Sequence, residues 1–215
     1  MEARTEATPY SGSTVFFARI ISFIFHPLLI GVYLMAYLVF VHPSFFIAFD
    51  SKAKLLRFLT FVNNNFILPS LVVLLLRGLG FSKSIYLRTQ KERIVPYIAC
   101  TVFFFWTFYV FKNLPGMPEI SVDLTFGMFL AACMAVIMNN FFKVSMHAIA
   151  AGGGLGMMIN IIYQAAAYSA WPIIITLLLS ALICSSRKIA SDHTWFEIFT
   201  GFFTGLALQL ISAWI

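Results

Sequence analysis

The sequence predicts an all-α membrane protein, a polytopic bundle of six to seven transmembrane helices. Of its 215 residues, 61% are hydrophobic and only 10% are charged, and the mean hydropathy is +0.92. A typical soluble domain has about 25% charged residues. The hydrophobic residues also lie in long runs, and a helix needs about 20 of them to cross a bilayer. These observations exclude a soluble globular protein and indicate a multi-pass protein of the cell membrane.

Seven apolar stretches are candidate spans. They cover residues 15–41, 56–76, 97–112, 121–142, 146–168, 171–185 and 196–214. The third and sixth are short, so we expect them to be tilted or extended by interfacial polar residues. The first run is too long for a cleavable signal peptide, and we expect it to remain as a membrane helix. No interval between spans suggests a soluble domain, so residues 1–215 form one predicted integral-membrane domain.

The predicted topology gathers the basic loops on one membrane face. Seven crossings place the N-terminus and residues 77–96, 143–147 and 187–197 on that face. Three of these loops carry Arg, Lys and His, which predicts a polar site there. The positive-inside rule would place this face in the cytoplasm. We attribute the net charge of +6 to topology and lipid headgroup contact, and expect no nucleic-acid partner.

Several polar and small residues lie inside the predicted spans. Pro27 predicts a kink in the first span, and we interpret His26 as a hydrogen-bonded helix histidine, with a cavity-lining role as the alternative. Residues 63–65 start the predicted second span and residues 139–140 end the fourth. Both asparagine runs predict hydrogen bonds between helices. The glycines of residues 152–156 predict close helix packing.

The most informative segment is the turn before the last span. His193 and Glu197 are four residues apart, a spacing that puts them on one face of a helix. A carboxylate in that position can hold the imidazole in one tautomer and raise its basicity. Arg187 offers a planar fork of donors suited to phosphate. An oriented histidine beside a phosphate clamp is typical of a phosphoryl-transfer site.

A second polar segment opens the fifth span. Lys143, Ser145 and His147 lie within five residues at the predicted helix N-terminus. Helix N-termini favour phosphate because they present free N–H groups and a partial positive charge. We expect Lys143 to add charge, Ser145 to donate a hydrogen bond, and His147 to give a proton to a leaving oxygen.

A third basic segment precedes the third span. It contains Arg88, Lys91 and Arg93. Alone, these cations would be interpreted as interfacial anchors that contact lipid headgroups. Together with the other two loops, they predict a cradle for phosphate.

On these residues the chain resembles the type-2 phosphatidic acid phosphatase superfamily, the membrane lipid phosphate phosphatases. That family carries the motifs KxxxxxxRP, PSGH and SRxxxxxHxxxD, in this order. Ser186, Arg187 and His193 match the third motif at the family spacing. Glu197 replaces its aspartate, which marks the chain as a divergent member.

The other two motifs are matched less well. Ser145 and His147 match two residues of PSGH, while the proline and glycine are replaced. Tyr86 stands where the first motif has its lysine, seven residues before Arg93. Lys91 or Arg88 could take over the role of that lysine.

The resemblance implies a role for each residue. His193 would attack phosphorus and form a phosphohistidine, Glu197 would orient it, and His147 would protonate the leaving oxygen. The implied phosphate-binding residues are Arg187, Arg93, Ser145 and Lys91, to which their loops add Lys143 and Arg88. The family needs no metal, and the sequence has no acidic cluster suited to Mg²⁺, so no metal or cofactor is expected.

The predicted function is hydrolysis of a lipid phosphate or diphosphate that enters laterally from the bilayer. One alternative is a non-catalytic relative that binds anionic headgroups or transports a small anion, which the degenerate motifs favour and the intact third motif opposes. A vanadate haloperoxidase would share the oxyanion geometry but is expected to be soluble. The resemblance implies an extracytoplasmic site, in conflict with the positive-inside rule. The sequence predicts neither the particular lipid nor the oligomeric state.

Overall fold

A computed structural model describes residues 10–81, 89–165, 169–190 and 193–215, and this part of the chain is helical with no strand. Its α-helices are α1 (Gly12–Ile24), α2 (Pro27–Ala36), α3 (Ser51–Val62), α4 (Leu68–Gly78), α5 (Gln90–Asn113), α6 (Glu119–Asn139), α7 (Met146–Gln164), α8 (Trp171–Ala190) and α9 (Trp195–Ser212). A π-helical turn, Tyr37–Val41, extends α2, and a second, Asn63–Ile67, joins α3 to α4.

The predicted membrane bundle is confirmed. Six helical segments are long and apolar enough to span a bilayer, one of them the continuous Ser51–Gly78 rod formed by α3 and α4. The bent pair Gly12–Ile24 and Pro27–Val41 brings the number to seven if it counts as one span. The protein is therefore a polytopic membrane protein with six to seven crossings.

The first predicted span is broken rather than gently kinked. Its two halves meet at an angle of 53°. Pro27 is the first residue of α2, where a missing N–H costs no helical hydrogen bond. His26 is the N-cap of α2 rather than a residue within a helix, which corrects our interpretation of it. As a result α1 packs against α8, whereas α2 packs against α7.

The two spans that looked short are extended by polar residues, as expected. Helix α5 begins at Gln90 because Thr89 and Glu92 form a capping box, in which each side chain satisfies a free N–H group at the helix start. Helix α8 continues past the apolar run to Ala190 and ends with Arg187 and Lys188 in its last turn. Both extensions carry cations at the same end of the bundle.

The asparagines at residues 63–65 lie in the middle of the second span, so the prediction that they start it is wrong. The helix begins earlier, at Ser51, because the side chain of Asp50 accepts the Ala53 N–H and caps it. The predicted interhelical bond is present, since Asn65 donates to the Thr107 hydroxyl across a distance of 3.0 Å.

Of the two asparagines at the end of α6, Asn139 bonds to another helix as predicted, whereas the side chain of Asn140 donates to carbonyls of α6 itself. Asn139 donates to the Gln90 carbonyl, and Gln90 donates to the Asn139 carbonyl, both at 2.9 Å. This reciprocal pair fixes the start of α5 against the end of α6.

The apolar core has two parts. The larger cluster includes Leu38, Phe61, Phe111, Leu124 and Met157, each at most 1% exposed. The smaller cluster holds Tyr97, Ala135, Met138, Val144 and Ile149. Val144 belongs to the loop between α6 and α7, so the smaller cluster anchors that loop to the helices.

Close contact between α7 and α9 depends on glycine, as the sequence predicted. A methyl group added at Gly152 would collide with the carbonyl of Phe202, and one added at Gly205 would collide with the carbonyl of Ile149. Both obstacles are backbone atoms that cannot move independently of their helices. This contact fixes the start of α7 relative to the start of α9, where several predicted site residues lie.

We expect Gly152→Ala to lower the thermal stability of the purified protein by several degrees, because its methyl group meets backbone. The matched control is Gly153→Ala, where the nearest atom to an added Cβ lies 3.9 Å away. Replacing glycine by alanine within a helix otherwise stabilises it by about 1 kcal/mol. A melting curve in detergent that ranks the two variants equally would contradict this account of the interface.

Candidate active site

The three predicted basic segments meet at one end of the bundle. Arg93, in the first turn of α5, donates from Nη1 to the Val144 carbonyl at 3.1 Å. The backbone N–H of Ser145 donates to the Glu197 carbonyl at 3.3 Å. These two bonds tie the starts of α5 and α9 to the loop before α7. The last turn of α8, with Arg187, leads into the same region.

His193 and Glu197 are in contact, but not along one helix face as predicted, because α9 begins at Trp195 with Thr194 as its N-cap and His193 therefore lies before the helix. His193 Nδ1 lies 3.0 Å from Glu197 Oε2, and the imidazole is buried, with 4% of the residue exposed. Because a carboxylate accepts, Nδ1 carries the proton and Nε2 keeps its lone pair. The ring is therefore held in the tautomer that leaves Nε2 available as a nucleophile.

Glu197 has a second contact through the same oxygen. Oε2 also accepts the Thr194 N–H at 2.9 Å, while the Thr194 hydroxyl accepts the Glu197 N–H, forming a capping box. One carboxylate oxygen thus starts α9 and orients His193 simultaneously.

The surroundings of His193 keep its imidazole neutral. Burial lowers the pKa of His193 below its ordinary value; the hydrogen bond to Glu197 opposes this shift, and nearby Arg187, Arg93 and Lys143 reinforce it. At neutral pH the nucleophilic lone pair is therefore available. Three cations around one neutral ring also create a positive potential that favours an anionic ligand.

Arg187 is held in position by α1. Its Nη1 donates to the Ser22 hydroxyl at 2.9 Å, and that hydroxyl lies 3.2 Å from the hydroxyl of Ser186. The guanidinium groups of Arg187 and Arg93 are close enough to interact electrostatically. A bound phosphoryl group would offset their repulsion, because guanidinium groups match its oxygens in geometry and charge.

The remaining predicted phosphate ligands have different positions. Ser145 is fully buried, and its hydroxyl accepts the Ala148 N–H at 3.4 Å as the N-cap of α7. Lys143 is close enough to His193 to interact with it electrostatically. Lys91 is exposed. Because residues two apart on a helix do not share a face, its side chain projects away from that of Arg93. Arg88 lies outside the described residues.

His147 is bound to the broken helix. Its Nε2 lies 3.0 Å from the Ser22 carbonyl, and because a carbonyl only accepts, Nε2 must carry the proton. The ring of His26 contacts it edge to face, with ring centroids 5.9 Å apart and an angle of 78° between planes. The broken first span, formed by α1 and α2, therefore also borders the site.

The chain has no match among family models, and neither curated proteins nor solved structures provide one. The chemistry of the site has to be derived from its own residues.

Tyr97 is a site residue that the sequence analysis missed. Only 5% of it is exposed. Its hydroxyl lies beside the Arg93 guanidinium, which can only donate to it, and the hydroxyl proton has no acceptor in the described part of the chain. A buried unsatisfied hydroxyl costs about 1–3 kcal/mol, so a ligand oxygen that accepted from it would remove this cost. Its position four residues after Arg93, on the same face of α5, was the available signal.

Ser22 was also missed as a site residue, and His26 was placed at a site only by the cavity-lining alternative. The broken first span places both against His147, and Ser22 also contacts Arg187. The His26-Pro27 pair was the only local signal, since a polar residue next to a proline inside an apolar span indicates a helix break.

The arrangement is suited to nucleophilic attack on phosphorus. It combines an oriented neutral imidazole, two guanidinium groups, a lysine, and donors on neighbouring helices. Among residues 10–81, 89–165, 169–190 and 193–215 there is no group of three His, Cys, Asp or Glu side chains that could hold a metal ion. Charge that develops on phosphoryl oxygens would be stabilised by preorganised side chains.

Proposed function

We propose that this protein is a phosphatase of the cell membrane that hydrolyses lipid phosphates or lipid diphosphates without a metal, through a phosphohistidine intermediate. One observation carries the proposal: His193 is buried, held by Glu197 with Nε2 unprotonated, and surrounded by Arg187, Arg93 and Lys143. Simple binding of an anion requires cations but no oriented neutral nucleophile.

The proposed reaction has two displacements at phosphorus. His193 Nε2 attacks the phosphoryl group, and the bond to the lipid oxygen breaks. Water then attacks the phosphohistidine and releases phosphate. Arg187 and Arg93 would hold the phosphoryl oxygens in both transition states. The resemblance of this segment to the third motif of the type-2 phosphatidic acid phosphatases supports the same roles.

A lipid substrate is supported by the residues beside the site. Trp195 and Phe196 directly follow the loop that carries His193, and both are exposed, as is Phe23 beside Ser22. Exposed aromatic residues at the ends of membrane helices lie at the level of lipid headgroups. A phosphate group at that depth would reach the cations while its acyl or prenyl chains stay in the bilayer.

The test is phosphate release by the purified protein in mixed micelles. We expect release from at least one of phosphatidic acid, phosphatidylglycerol phosphate and a polyprenyl diphosphate, undiminished by EDTA. A water-soluble phosphate ester is the matched comparison, and we expect it to be hydrolysed more slowly because it lacks the membrane anchor.

The outcome also distinguishes the alternative function. Binding of the protein to vesicles that contain these lipids, without any release of phosphate, would favour a non-catalytic receptor for anionic headgroups. Complete inhibition by EDTA would contradict the metal-independent mechanism.

A further inference from the structure

The proposed reaction needs a proton for the leaving group. An alkoxide departs from phosphorus slowly unless an acid protonates it in the transition state. The sequence assigned this role to His147. In the structure the Nε2–H of His147 donates to the Ser22 carbonyl, so a neutral His147 has only the unprotonated Nδ1 left. To donate from Nδ1, His147 would have to become an imidazolium in a position that is less exposed than that of His26.

His26 has the opposite arrangement. Its Nδ1 accepts the Leu28 N–H at 3.4 Å, as the N-cap of α2. The proton of the neutral ring therefore lies on Nε2, the nitrogen that points away from the cap. The side chain is exposed, at the level of the polar loops, so it can exchange protons with water. The charged and titratable groups near it are Arg187 and His147.

The break in the first span is what places His26 at the site. The 53° bend between α1 and α2 exposes residue 26 at the break and brings it against the start of α7. The ring contacts the ring of His147, and both share the Arg187 guanidinium as a neighbour.

We infer that His26 is the general acid and base of the proposed phosphatase, and that His147 is a positioning residue that holds α1 against α7. This inference rests on the proposed function. His26 matches none of the family motifs that the chain resembles, so the role comes from its position in this fold alone.

The proposed cycle balances. Burial and the Arg187 guanidinium lower the pKa of His26, and the negative charge of the substrate dianion offsets both. With the substrate bound, His26 takes a second proton from water and enters as the imidazolium, and the long Leu28 contact is lost. The Nε2 lone pair of His193 forms the bond to phosphorus, the bond to the lipid oxygen breaks, and that oxygen takes the Nε2 proton of His26. Water then attacks phosphorus, its proton passes to His26, and the electron pair of the N–P bond returns to His193. Phosphate leaves and both histidines are restored.

The test is His26→Asn, measured on two substrates with tails of equal length. Asparagine is among the best N-cap residues, so its oxygen can keep the Leu28 bond while the Nε2 donor is removed. We expect the variant to lose about 10²–10⁴-fold in kcat on a long-chain alkyl phosphate. On a long-chain nitrophenyl phosphate, whose leaving group needs no proton, we expect a loss below about tenfold.

The matched control is His42→Asn. His42 also accepts a backbone N–H through Nδ1, that of Ser44 at 3.4 Å, but it follows the π-helical turn at the opposite end of α2. We expect it to leave both rates unchanged. Thermal melting of all variants checks that the fold is kept.

Three results would overturn the inference. Equal losses on the two substrates would show that His26 is structural. A loss confined to the alkyl phosphate in His147→Asn, with His26→Asn unaffected, would return the acid role to His147. If the unmodified protein releases phosphate from neither substrate, the proposed function fails, and this inference fails with it. The first two results require an active unmodified protein, so they contradict the role of His26 without contradicting the proposed function.

Discussion

Replacing His193 by asparagine is expected to abolish phosphate release, with a loss of at least about 10⁴-fold in kcat. The asparagine amide can occupy the position of Nδ1 and keep the hydrogen bond to Glu197. It has no atom in place of Nε2, so the nucleophile is lost while the cap of α9 remains. Water cannot replace a bound nucleophile at a comparable rate.

A phosphoenzyme assay makes this test independent of turnover. Incubation with a lipid labelled in its phosphate, followed by a denaturing quench, should leave label on the unmodified protein in a form that is stable to alkali and labile to acid. The His193→Asn variant should carry none, whereas His42→Asn should label normally. Residual turnover in His193→Asn above one percent of normal, or label that persists in it, would refute the assignment of the nucleophile.

The fold was largely predictable because its cause is local. Long apolar runs favour membrane helices whatever their neighbours, and the number of crossings followed from run lengths. The pairing of His193 with Glu197 was predictable from their short separation along the chain, but its cause was not: His193 precedes α9, and Glu197 reaches back to it from the capping box at the helix start. The asparagines of residues 63–65 were misplaced because polar residues look like a helix end, whereas the π-helical turn between α3 and α4 buries Asn65 against α5.

The rest of the site depends on contacts between distant segments. Ser22 meets His147 and Arg187 only because α1 leaves the axis of α2 and packs against α8. Nothing in the spacing of these residues indicates which helix lies beside which. Tyr97 was hidden for a different reason: its aromatic ring fits an apolar span, and only its buried hydroxyl reveals a polar surrounding.

In the structure Glu197 has two roles at the same time. A carboxylate in the first turn of a helix can cap it, and a carboxylate beside a histidine can orient the imidazole. Both are present, because Oε2 accepts from the Thr194 N–H and from His193 Nδ1 at 2.9 and 3.0 Å. A substitution that removes the side chain would therefore lose both, and only an isosteric change can separate them.

Glu197→Gln is expected to lower kcat by roughly 10²–10⁴-fold while leaving thermal stability nearly unchanged. The amide oxygen can still accept from Thr194 and His193, so the cap and the tautomer are kept. The negative charge is lost, and that charge stabilises the positive imidazole that forms when Nε2 bonds to phosphorus. The expected loss therefore falls on the chemical step.

Two further variants complete the comparison on the same preparations. Glu197→Ala removes the cap as well, so we expect it to lose about 0.5–2 kcal/mol of stability in addition to activity. Glu197→Asp restores the residue of the family that the chain resembles, and it should keep more activity than Glu197→Gln because it keeps the charge. The decisive measurement pairs melting temperature with phosphate release for Glu197→Gln. Normal release with a lowered melting temperature would reduce Glu197 to a helix cap, because a carboxylate that only starts α9 has no influence on the reaction of His193.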